Sequence, residues 1–146
     1  MQFKKNLSRG ILVDSEDEHL LHMHLFCVDA RGYAISIIDG KKQYLHKLII
    51  PSTGIVDHKD RNKLNNSRVN LREATRSQNN SNIPLPSHNT SGYMGVSKHG
   101  NYWLATIKAE GKKLCLGYHA TKEAAALAYN AAALKYRGEF ASLNIV

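Results

Sequence analysis

The side chains best suited to chemistry lie in one polar stretch: Asp57 next to His58, then Asn70, then Asn79. A hard divalent cation takes oxygen ligands, keeps several waters and needs only one or two protein groups beside phosphate oxygens. The Asp57 carboxylate and the Asn79 amide oxygen meet that demand. A base that takes a proton from an attacking water needs a pKa near neutrality, and His58 supplies it. The cation would neutralise a scissile phosphate and its departing 3′ oxygen, which makes phosphodiester hydrolysis the matching reaction. The same residues also have a plainer reading as a hydrogen-bonded surface turn, a structure that Asp and Asn commonly make.

These groups need elements to bring them together. A strand ending at Asp57-His58, a long polar loop, a short strand over residues 70–74 and a helix capped by Thr75 would set Asn79 about one helical turn in. Ahead of them the pattern predicts an antiparallel meander, with strands at 20–28 (LLHMHLFCV), 33–38 (YAISII) and 44–50 (YLHKLII). The turns fall at Asp29-Ala30-Arg31-Gly32 and Asp39-Gly40. His19, His22 and His24 have no carboxylate or cysteine at ligand spacing, and are expected on an exposed sheet face.

Residues 83–91 (IPLPSHNTS) hold two of the three prolines and read as a linker. Beyond it, strands are predicted at 92–98, 102–109 and 112–118, followed by a helix capped by Thr121. Glu123 suits the first turn of that helix, Lys135 and Arg137 the last, and Gly138 its stop. Its alanines suit a helix lying close on a sheet. Strand alternation sends Trp103, Ala105 and Ile107 under the helix and leaves Tyr102, Leu104, Thr106 and Lys108 on the opposite face. With Lys98, Lys108, Lys112 and Lys113 around it, that face suits a DNA groove.

The 146 residues carry 20 Lys+Arg against 12 Asp+Glu, a formal charge of +8. Residues 1–50 contribute +1, residues 51–91 +3 and residues 92–146 +4, so the excess collects on the two segments just described. Such a distribution favours a polyanionic partner. The two cysteines, Cys27 and Cys115, are too far apart for a thiolate zinc site and too few for a disulfide framework. No apolar run reaches membrane-spanning length, and the N-terminal MQFKKNLSRG lacks the apolar core of a signal peptide. The expected location is the cytoplasm.

The segment from Tyr44 to Asn82, with LHKLI and then VDHKDRNKLNNSRVNLREATRSQNN, resembles HNH (ββα-metal) endonucleases of the homing type found in phages and mobile introns. The segment from Gly92 to Asn144, with SGYMGVSKHGNYWLATI before it turns to KLCLGYHATKEAAALAYNAAALKYRGEFASLN, is similar to AP2/ERF DNA-binding domains. The pairing implies an α+β chain: an HNH nuclease domain with its meander over 1–82, a linker over 83–91 and an AP2-like three-stranded sheet on one helix over 92–146. It implies His58 as general base and Asp57 and Asn79 as ligands of one Mg2+ or Mn2+ ion per active site. Asn70 would hold the loop so that the imidazole is oriented. His46, in LHKL, matches a recurring family residue and is expected to play a structural part from a strand. Arg68, Arg72 and Arg76 flank the cleft as candidate phosphate contacts, and Lys98, Thr106, Lys108 and Lys113 are candidate DNA contacts in the second domain. Met94, Ser97 and Cys115 stand where plant members often carry arginines and a tryptophan, so no plant target sequence carries over. The partner implied is double-stranded DNA in a bacterial or phage-infected cell, with no membrane, and monomer and dimer both open. The rival expectation is a non-catalytic DNA-binding regulator with an idle motif.

Overall fold

A computed structural model describes residues 10–146; residues 1–9, and with them most of the segment tested for a signal peptide, lie outside it. The chain divides into two compact units between Asn79 and Asn80.

In the first unit a 3-10 turn at Ser15–Asp17 leads into helix α1, Glu18–Met23. Residues 20–23 are therefore helical, where a strand was expected. Acidic Glu16, Asp17 and Glu18 gather at the start of this helix, where the positive end of the helix dipole favours them. The strand is confined to β1, Cys27–Val28, which pairs antiparallel with β2, Ala34–Ile38. β3, Lys41–Tyr44, completes a β1-β2-β3 meander. The second departure follows at once: LHKLI forms helix α2, Leu45–Ile49, in place of a strand. Leu45, Leu48 and Ile49 stand at i, i+3 and i+4, and this spacing lets a helix seal one apolar face. Leu45 and Ile49 are buried with Ile11, Leu21, Phe26, Ala34, Val56 and Leu71 in one core. Burying Leu45 or Ile49 contributes about 1.5–3 kcal/mol, which outweighs any local strand preference.

Against this core lies a two-stranded antiparallel ribbon of β4, Ile55–His58, and β5, Leu71–Ala74. A single helical turn, α3, Arg76–Asn79, follows and touches both strands. Thr75 and Gln78 cap it reciprocally: the Gln78 N–H donates to Thr75 Oγ1 at 3.2 Å and the Thr75 N–H to Gln78 Oε1 at 2.8 Å.

The second unit is a three-stranded antiparallel sheet of β6, Val96–His99, β7, Tyr102–Ala109, and β8, Lys112–His119. It is covered on one face by α4, Lys122–Arg137. Thr121 caps that helix by accepting the Ala124 N–H at 3.1 Å. Small Ala125, Ala126, Ala132 and Ala133 let the helix sit close on Val96, Ala105 and Ile107. Gly95 is the tightest point beneath it. Its φ is +72°, and any Cβ there would collide with the Tyr129 ring and the Thr106 carbonyl. No helix among the described residues is long and apolar enough to cross a membrane.

Candidate active site

The polar stretch between β4 and β5 is a loop closed by its own amides. The Asn62 N–H donates to Asp60 Oδ1 at 2.8 Å and the Leu64 N–H to Asn62 Oδ1 at 3.1 Å, successive side-chain turns that need no apolar residues. Asn70 ties the two ends: its Nδ2 donates to Asp60 Oδ1 at 2.9 Å and to the Asn65 carbonyl at 2.7 Å, while its Oδ1 accepts the Asp60 N–H at 3.0 Å. Burial works against ionisation of Asp60, but hydrogen bonds from Asn65, Asn62 and Asn70 outweigh it and hold the carboxyl below its usual range. The chain ahead of α1 braces the loop from outside. The Leu12 N–H donates to the Leu64 carbonyl and the Asn66 N–H to the Leu12 carbonyl, each at 2.8 Å. The Arg68 N–H reaches Asp14 Oδ2 at 2.7 Å.

Within this frame His58 is buried, with Nε2 3.2 Å from Asn66 Oδ1. The Asn66 side chain is itself fully buried, and its Nδ2 donates to the Leu64 carbonyl at 3.1 Å, which fixes Oδ1 as the acceptor facing the ring. In the neutral imidazole Nε2 therefore carries the proton and Nδ1 the lone pair. Desolvation by burial pulls the His58 pKa below its ordinary value, more strongly than Asn66, Asp57 and Asp60 pull it up. The lowered pKa favours the neutral ring, the form a base must have.

His46 is placed differently from its expectation. It lies in α2 instead of a strand, is buried, and its ring packs edge-on against His58 with centroids 5.2 Å apart. Tyr33 touches both rings, at 5.3 Å from His46 and 6.0 Å from His58. Burial, with smaller repulsions from His58 and Lys47, lowers the His46 pKa to about 4. Its Nδ1 has no hydrogen-bond partner.

Asp57 and Arg72 are direct partners in the β4–β5 register, and Arg72 Nε and Nη2 lie 3.0 and 2.9 Å from Asp57 Oδ2. Arg72 thus braces the candidate metal ligand, where a phosphate contact was expected. Arg68 likewise has protein partners: its Nε and Nη2 each stand 2.8 Å from the Asp17 carboxylate, and Glu16 pairs with it as well. Arg76 is exposed on α3. Asn79 ends α3, half-buried, on the element that touches β4 and β5. Reasoning from sequence passed over Asn66 and Tyr33. Asn66 is one of several asparagines in the loop, and only burial singles it out; Tyr33 read as an ordinary strand residue.

In the second unit, strand pairing sorts the candidate DNA contacts by face. Lys108 pairs with Lys113, Thr106 with Cys115, Leu104 with both Tyr118 and Ser97, and Tyr102 with His99. All of these lie on the face away from α4. Lys98 does not: it pairs with Trp103, whose side chain packs on the helix side, and its Nζ sits 5.9 Å from the indole centroid.

Residues 49–81, which contain the ribbon, its loop and α3, match the sequence model of a family described as HNH endonuclease. The chain is 40% identical over 121 residues to "Uncharacterized HNH endonuclease L560" of Acanthamoeba polyphaga mimivirus, an alignment covering 77% of this chain and 63% of that protein. It is 42% identical over 66 residues to "Protein 3.8" of Escherichia phage T7, covering 44% of this chain and 54% of the phage protein. The chain thus spans under two thirds of the length of either relative.

Proposed function

We propose that this chain is a divalent-metal-dependent DNA endonuclease of the homing type, with a C-terminal AP2/ERF-like unit that holds double-stranded DNA. The observation that carries the reading is the buried His58 imidazole, held by Asn66 in the tautomer that presents Nδ1 as a base, on the strand that also delivers Asp57. The match of residues 49–81 to an HNH endonuclease family and the name of the mimivirus relative support it. Their viral and phage sources fit action inside an infected cell.

The donor set fits a hard cation: a buried carboxylate at Asp57, with Asn79 offering an amide oxygen from the helical turn that touches the same strand. When bound, Mg2+ or Mn2+ would neutralise the scissile phosphate and the departing 3′ oxygen. His58 Nδ1 takes a proton from water as the water oxygen bonds to phosphorus, and the 3′ oxygen leaves with the electrons of the broken P–O bond. Arg72 orients the Asp57 carboxylate, and Asn70 keeps the loop closed so that Asn66 stays under the ring. If roughly six lysines and arginines meet phosphates, log affinity should fall with log salt at a slope of about −5.

Supercoiled plasmid is expected to be nicked in Mg2+ or Mn2+, to survive in EDTA, and to be cut at least about a hundredfold more slowly by His58→Ala. Undiminished cleavage by that variant would overturn the assignment of the base. The rival reading, a DNA-binding regulator with an idle motif, draws on the Arg72–Asp57 ion pair, which gives the carboxylate a structural partner. Tight DNA binding by the unmutated chain with no cleavage in any divalent ion would decide for it.

A further inference from the structure

The open face of the second unit's sheet has a distinct chemical order. Leu104 and Thr106, both half-buried, and exposed Cys115 form a small apolar middle. Lys108 and Lys113 stand at one end, and at the other are Tyr102 and Tyr118, each 56% exposed, with the His99 ring 5.3 Å from that of Tyr118. No acidic side chain and no arginine occurs on β6, β7 or β8. Three strands spaced about 4.8 Å apart make a face about 10 Å across, a fit for the roughly 12 Å major groove of B-DNA.

This chemistry limits what the face can read. Guanine is most often recognised by Arg or Lys and adenine by Asn or Gln; the face has no arginine, Asn or Gln, and its two lysines, Lys108 and Lys113, stand at one end and not at its centre. At its centre the face offers mainly methyl and thiol groups, beside the Ser97 and Thr106 hydroxyls that either base pair accepts, and the methyls complement the one apolar group in the major groove, the thymine C5-methyl. Resting on the reading of this unit as a duplex-DNA holder, we infer that the sheet face is selective for thymine methyl groups, with Leu104, Thr106 and Cys115 as the contacts and Lys108 and Lys113 as phosphate anchors. The match of the face's width to the major groove, with the charge complementarity of the lysine end, commits the occupant to duplex DNA. Single-stranded nucleic acid stacked on the tyrosines is the competing occupant.

The test uses the full chain in EDTA, so that no strand is cut. Duplexes enriched from a randomised pool are expected to be rich in A·T pairs. Replacing thymine by deoxyuridine, which removes only the methyl, is expected to weaken binding about fourfold per methyl contacted. Thr106→Ser, which keeps the hydroxyl and deletes the methyl, is expected to shrink the thymine-over-uracil ratio while leaving the salt slope unchanged. Equal affinity for thymine and uracil duplexes, or tighter binding of single strands than of duplexes, would overturn the inference. Lys108→Ala with Lys113→Ala addresses the underlying reading separately. A lower salt slope sustains it, and unchanged affinity and slope would remove the sheet from the DNA interface altogether.

Discussion

The two units reach order by opposite means. The first surrounds its candidate catalytic groups with a network of polar side chains, in which Asp60, Asn62, Asn65, Asn66 and Asn70 bond one another or the loop backbone while the apolar core lies elsewhere. The second has an alanine-faced helix pressed on a sheet, and leaves Lys108, Lys113, Tyr102 and Tyr118 on the far face. A polar network can hold a buried imidazole and carboxylate in defined orientations, because directional bonds such as Asn66 to His58 and Arg72 to Asp57 fix them; close apolar packing can do no more than present a surface. On the function proposed above, the difference suits one unit to bond-breaking and the other to holding DNA.

The comparison can be broken most sharply at Gly95. Gly95→Ala puts a Cβ against the Tyr129 ring and the Thr106 carbonyl at a positive φ, at an expected cost of about 3 kcal/mol or more. A module of this size has little stability to spare. Hydrogen exchange should show residues 92–140 losing protection while the β4–β5 ribbon keeps it, and equal loss in both would show that the units do not unfold separately.

In the first unit the matching lesion is electrostatic. Arg72→Ala leaves Asp57 buried without its cation and is expected to cost about 3 kcal/mol in thermal unfolding. Mg2+ should raise the melting temperature of that variant more than that of the parent, by linkage to a ligand bound only when folded. An equal rise in both would argue against Asp57 as a ligand.

The smallest expected effect is a dependence on acid. His46 has a folded pKa of about 4 against an ordinary value near 6.5, so the unfolded chain binds its proton first as pH falls. The stability it contributes is complete above pH 6.5 and drains away between there and pH 4, on the order of 2 kcal/mol. His46→Phe should flatten that part of the stability–pH curve. A curve that keeps its slope would place the titration elsewhere.

What could be read beforehand followed from local chemistry. Thr121, the alanines and Gly138 define α4, and the alternation of Trp103, Ala105 and Ile107 assigns the faces of β7. The strand to His58 and the turn after Thr75 were visible for the same reason. LHKLI was misread because five residues with three aliphatics satisfy both periods, and the core decides between them. The partners of Arg68 and Arg72 and the edge-on packing of His46 against His58 join residues distant in sequence, and no spacing rule connects them. Asn66 differs from its neighbouring asparagines solely by where the fold puts it.

The two cysteines are both exposed thiols, one on each unit: Cys115 in the middle of the open sheet face, Cys27 on β1 of the meander. They form a built-in pair of reporters. An alkylating reagent measures the accessibility of both in one sample, Cys27 serving as the internal clock. If the sheet face holds DNA, duplex should slow the labelling of Cys115 relative to Cys27 without any engineered residue, and the ratio would report occupancy of that face during turnover.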